Sequence, residues 1–82
     1  MRHIMKYQPE QRMLDRLVND YTYHAPIQDQ IERMQRIRAA AHDLAILTLM
    51  NTPPSREQSV ALTQLETFVM HANAAIVRNE GR

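Results

Sequence analysis

Residues 52–79 read TPPSREQSVALTQLETFVMHANAAIVRN, and this stretch decides the fold. Pro53 and Pro54 end any helix that reaches them, because proline has no N–H to donate and its ring clashes with the preceding turn. Ser55 is a strong N-cap, and Gln58 three residues on predicts a capping box. Beyond it Leu62, Leu65, Val69, Ala72 and Ile76 recur at helical spacing, with Ala61, Phe68 and Ala75 alongside, so a helix is expected over 55–79. Arg56 falls in its first turn, where free N–H groups and the positive end of the helix dipole meet a guanidinium. That combination suits a phosphate. A solvated arginine on a well-capped helix is the plainer reading of the same residues.

The other prolines divide what precedes. Pro26 opens a second segment, 26–50, whose apolar residues Ile27, Ile31, Met34, Ile37, Ala41, Leu44 and Ala45 keep one helical stripe. Pro9 opens a shorter one, 9–19, with Met13, Leu14, Leu17 and Val18 on a narrow face. Two long helices joined by Asn51-Thr52-Pro53-Pro54 make an antiparallel hairpin. The fold class is therefore all-α, a short N-terminal helix followed by a two-helix hairpin in one domain, 1–82. Val60, Met70, Ala74 and Val77 broaden the apolar surface of the last helix beyond what one hairpin covers, which predicts a homo-oligomeric helical bundle.

Composition narrows the function. An 82-residue chain without cysteine has neither disulfides nor thiolate metal sites to make up for a small core, and it fits a reducing compartment. No apolar h-region and no bilayer-length run occur, so a soluble cytoplasmic protein without a membrane partner is expected. Ten basic residues against nine acidic ones give a net charge of +1, too little for binding polymeric nucleic acid through the overall field. Nine of the ten are arginines, a bias toward planar bidentate donors. With Gly81 the sole glycine there is no phosphate loop. His3, His24, His42 and His71 lack metal-ligand spacing, and no nucleophile or acid-base constellation is apparent. No enzyme, metal or cofactor is expected.

Other binding candidates lie upstream. Asp29 with Arg33 and Glu32 with Arg36 have the acid-first i, i+4 spacing of surface ion pairs worth about 0.3–0.5 kcal/mol each. Arg38 has no such acid and lies on the line of Ile31, Met34 and Ala41, where it can enter an interface and hold an anion or lay its stem along the core edge. Tyr21-Thr22-Tyr23-His24-Ala25-Pro26 ends in a proline that favours an extended backbone before it. If that extension reaches Tyr21, the rings of Tyr21 and Tyr23 project to one side, as a stacking surface for nucleobases with His24 as a polar contact. The same tyrosines also suit the open end of the hairpin core. Lys6 and Tyr7 are a second cation and ring near the N-terminus.

The tract Pro54-Ser55-Arg56-Glu57-Gln58-Ser59, with Ala61-Leu62-Thr63, Leu65-Glu66, Met70, Ala72-Asn73-Ala74, Ile76 and Arg78-Asn79, resembles the helical hairpin of small phage sponge proteins. These are the anti-CBASS proteins, with a related hairpin in the anti-Thoeris sponges, and they sequester cyclic oligonucleotide signals. Tyr21-Thr22-Tyr23-His24-Ala25-Pro26 and Ile37-Arg38 look like the same family's entry segment and second helix. His71 stands where tryptophan is common in the family, and Val77 where alanine is usual. The resemblance implies a homohexamer that captures cyclic di- or trinucleotides or cyclic ADP-ribose isomers between protomers without cleaving them. Arg56 with Ser55 would then meet phosphate, and Tyr21, Tyr23 and His24 the bases. The rival expectation is a helical interaction module whose broad apolar face binds a host protein.

Overall fold

The computed structural model describes residues 6–80, which form three helices and, among the described residues, no strand: α1 (Gln11–Tyr21), α2 (Gln28–Asn51) and α3 (Arg56–Asn79). The helices start later than the prolines suggest, because the chain stays extended after each one. Glu10 caps α1 through its backbone alone. Ile27, with φ −90° and ψ 169°, is the N-cap of α2, so Pro26 lies outside the helix. The apolar Ile27 side chain offers no acceptor, and Gln30 supplies half a capping box by accepting the Ile27 N–H at 3.1 Å.

The Ser55 cap forms as expected, its hydroxyl accepting the Gln58 N–H at 3.1 Å. The reciprocal half of that box does not. Gln58 Nε2 instead donates to the carbonyl of Thr52 at 3.1 Å and to its hydroxyl at 3.0 Å. Thr52 is the C-cap of α2, so Gln58 ties the start of one long helix to the end of the other and closes the Pro53–Pro54 turn.

α2 and α3 pack antiparallel, and their open end is held by a polar clamp. Arg33 donates to Glu80 through both terminal nitrogens, at 2.7 and 2.5 Å, while its Nε donates to Asp29 at 3.1 Å. Gln30, one of the buried residues, adds longer bonds to the Ile76 carbonyl at 3.5 Å and to Glu80 at 3.4 Å. Arg33 is therefore more than half of a local helix pair, since its fork joins the two helices across 47 positions of sequence. Among the described residues Glu32 and Arg36 do not form the expected companion pair.

Little else is buried. Ala41 is the buried apolar residue of the described chain, and Leu47, Leu49, Met50, Phe68 and Met70 are at least half exposed. The accessible surface is 7190 Å². A compact 9.6 kDa monomer would expose about 5,100 Å², so roughly 2,100 Å² more than usual faces outward.

The bidentate bond from Arg33 holds the Glu80 carboxyl down at about 2, against an ordinary value near 4.5, with Gln30 adding to the effect. A lowered folded-state value stabilises the fold above the unfolded pKa and ceases to do so as pH falls through the folded one. The Glu80 carboxyl carbon should accordingly titrate near pH 2 by NMR. Glu80→Gln should lower the melting temperature at pH 7 and have a much smaller effect at pH 2.

Candidate ligand-binding site

The turn after α1 builds a small aromatic site at the open end of the hairpin. Thr22 has φ −95° and ψ 131°, which ends the helix at Tyr21. The extended segment therefore does not reach Tyr21: that ring leaves from the last helical residue and the Tyr23 ring from the extended chain. Both stand free, at 87% and 83% exposure, and do not cover the hairpin core. His24 turns inward, half-buried, and its Nε2 lies 2.9 Å from the carbonyl of Asn19. A carbonyl only accepts, so Nε2 carries the proton in this arrangement.

Asn19 and Asp20 fasten this segment to the end of α3. The Asn19 amide donates to the Arg78 carbonyl at 3.1 Å. Asp20 stands between two guanidiniums, 3.5 Å from Arg16 and 3.8 Å from Arg78. Tyr21, Tyr23, His24, Pro26, Met34 and Arg78 together line a groove of about 500 Å³. Arg78 is the addition that sequence reasoning missed as a site residue: its place in the last turn of α3 was visible, but the fold is what brings it beside two tyrosines from the other end of the sequence.

Arg56 lies elsewhere. It is exposed at the opposite tip of the hairpin, without an ion pair or side-chain hydrogen bond among the described residues. Beside it the Ser55 hydroxyl is engaged locally, accepting from Gln58 and donating to the Pro53 carbonyl at 3.0 Å. The 24 residues of α2 span about 36 Å, so the tyrosines and Arg56 of one copy cannot meet on one small ligand. Lys6 and Tyr7 contact each other, the ammonium 5.8 Å from the ring centre, as a weak cation–π pair at an exposed site.

Midway along the hairpin, a groove of about 630 Å³ runs between α2 and α3, with Arg38, Glu66 and Asn73 among otherwise mostly apolar walls. Arg38 and Glu66 have no ion-pair partner among the described residues. Asn73 Oδ1 is shut away from solvent without a donor, which ordinarily costs about 1–3 kcal/mol. The described residues contain no group of three metal-ligating side chains and no helix long and apolar enough to cross a membrane.

The described residues thus form an all-helical hairpin with exposed rings at one end and an exposed guanidinium at the other. The Acb2/Tad1 hairpin-domain family model matches residues 13–77, and the chain belongs to that family, the anti-CBASS and anti-Thoeris sponges, whose members bind rather than cleave. The matched region starts inside α1 and ends just before Arg78, so it takes in the tyrosine segment, both long helices and the proline turn. No curated protein and no solved structure matches the chain significantly.

The Asn19 tether makes the tyrosine site depend on α3. Asn19→Leu should cost about 1–2 kcal/mol in thermal or urea unfolding. It should also release the tyrosine segment, read as a loss of tyrosine fluorescence anisotropy with α2 and α3 still helical by circular dichroism.

Proposed function

We propose that this protein is a phage anti-defence sponge: it binds cyclic di- or trinucleotide second messengers, or cyclic ADP-ribose isomers, in the host cytoplasm and withholds them from CBASS or Thoeris effectors without cleaving them. The observation that carries the reading is the family match over residues 13–77. The site chemistry supports it. A cyclic nucleotide offers two recurring features, a base with a stacking face and a phosphate with forked acceptors. Tyr21 and Tyr23 present free rings, worth about 1–3 kcal/mol per stacked base. Arg56 presents an unpaired guanidinium at a helix start, where the free N–H groups add to its field. Ser55 shapes that turn and His24 offers a polar edge to the tyrosine groove. Arg38, and Lys6 with Tyr7, are supplementary contacts in this reading.

The working form is a homo-oligomer, a hexamer as the resemblance implies. The exposed surface supports association, because about 2,100 Å² per chain beyond the norm for a monomer, summed over two copies, falls within the roughly 2,000–5,000 Å² in total that permanent interfaces bury. A second reading, a module whose apolar face binds a host protein, draws on the same exposed residues, Phe68 and Met70 in particular. A pull-down that recovers a stoichiometric host protein and no nucleotide would favour it.

The sponge reading is tested by a thermal-shift series with cyclic dinucleotides, cyclic trinucleotides and cyclic ADP-ribose isomers. A ligand that binds the folded state alone stabilises it by about 2.7 kcal/mol at a hundred times its Kd. One class should raise the melting temperature and be recovered intact after denaturation. Arg56→Ala should reduce the shift while the unliganded melting temperature stays the same, and Tyr21→Ala with Tyr23→Ala should do likewise. No shift with any class, or a cleaved ligand, would overturn the reading.

A further inference from the structure

Resting on the sponge reading above, we propose that Arg78 holds the phosphate of a nucleotide seated in the tyrosine groove, and that Asp20 makes this groove select phosphodiesters over terminal phosphates. The fold fixes where Arg78 stands. Its carbonyl accepts the Asn19 amide at 3.1 Å, and the Asn19 carbonyl in turn lies 2.9 Å from His24 Nε2. One asparagine thus ties the end of α3 to the segment that carries both rings. Tyr21, Tyr23, His24 and Arg78 line the same groove of about 500 Å³, within the roughly 300–1,000 Å³ of small-molecule sites. The Arg78 side chain is 41% exposed, within reach of a ligand. Among the described residues its guanidinium makes no hydrogen bond, and its ion pair to Asp20 is 3.8 Å long. A phosphate offers what that carboxylate does not, two parallel N–H···O bonds of about 2.7–2.9 Å. A groove that presents ring faces and a guanidinium without hydrogen bonds suits a base and its phosphate together.

Asp20 sets the strength of the field that a phosphate meets. It lines the groove and is shared between Arg16, at 3.5 Å on its own helix, and Arg78, at 3.8 Å on α3. Two guanidiniums and one carboxylate leave a single positive charge there. Glu80, two residues beyond Arg78, is taken by the Arg33 fork and draws nothing from this group. When a ligand engages Arg78, Arg16 remains to balance Asp20, so the exchange leaves no carboxylate without a partner.

A weak positive field discriminates by charge. The cost of desolvating an ion grows with the square of its charge, while its attraction to a fixed field grows only in proportion. A phosphodiester carries one negative charge, whereas a terminal phosphate carries about 1.5 to 2 at pH 7. Every phosphate of a cyclic oligonucleotide is a diester. The groove therefore admits such a signal and disfavours mononucleotides, which end in a terminal phosphate.

The test is an NMR titration of the full chain with adenosine, 5′-AMP and the methyl phosphodiester of 5′-AMP, which share one base and one sugar, and with the guanosine set in parallel. The amide signals of Tyr21, Tyr23 and Arg78 report the groove. The methyl diester should bind the wild-type chain more tightly than 5′-AMP. Asp20→Asn raises the field equally for every ligand, so the gain follows ligand charge: about threefold for the diester, about tenfold for 5′-AMP and none for adenosine. Loss of a merely structural carboxylate would instead weaken all three alike. Arg78→Gln should bring the diester down to the affinity of adenosine. Circular dichroism checks each variant for helicity. Where Asp20→Asn loosens the segment, Arg16→Gln lowers the field without touching the contact to α3, and should weaken 5′-AMP more than the diester. An unchanged ratio of diester to 5′-AMP affinity in these variants, or diester binding indifferent to Arg78→Gln, would overturn the proposal. Cyclic di-AMP and cyclic di-GMP complete the series. If they bind while the groove signals stay still, the sponge reading stands and this site falls; if no cyclic nucleotide and no phosphate ester binds, both fall.

Discussion

The bond of Arg33 to Glu80 is the contact on which the arrangement of the molecule rests. The proline turn makes α2 and α3 antiparallel, but a turn alone fixes only the end it joins. Arg33 and Gln30 fix the far end, through Glu80 and the Ile76 carbonyl, and so set the height of every residue on one helix against the other. The tyrosine segment hangs from that same end, because its anchor is the Arg78 carbonyl, two residues before Glu80. A guanidinium is suited to the task. Its planar fork takes both carboxylate oxygens and still leaves Nε for Asp29.

Much of the architecture was legible, for reasons that can be named. Proline and the Ser55 cap act through local backbone chemistry, which sequence records directly, and the apolar stripes of the two long segments have a clear period. The all-helical class followed from these signals, and the family resemblance agreed with the later match over residues 13–77. What sequence obscured was partner choice over distance. Arg33 has an acid four residues away and another 47 away, and only the first is visible in a spacing rule. Gln58 sits where a capping box wants it, but Thr52 offers its amide two acceptors at once. The site divides in the same way. Residue types suited to stacking and to phosphate could be listed from sequence, whereas the helix length that separates them, and the arrival of Arg78 beside the rings, are properties of the fold.

The site also differs from the usual pocket, which is a concave apolar cavity enclosed by one chain. Here the rings of Tyr21 and Tyr23 and the Arg56 guanidinium are presented outward, and the single chain encloses none of them. In the proposed assembly such surfaces become pockets as copies close on one another. Under that proposal ligand capture and subunit association draw on the same few square nanometres of protein, and each bound signal would add to the cohesion of the assembly.

Ala41 and Gln30 are the buried residues of the described chain, and that scarcity bears on abundance. If, as proposed, its own copies complete the interior, the protein is folded only above a threshold concentration, and below it each chain is a substrate for proteolysis. An agent that acts by stoichiometric capture has no use for low copy number, since a few molecules cannot drain a signal. In the proposed sponge, coupling folding to self-association would remove the ineffective chains and keep the effective ones, and would make the onset of capture steep with the amount of protein synthesised.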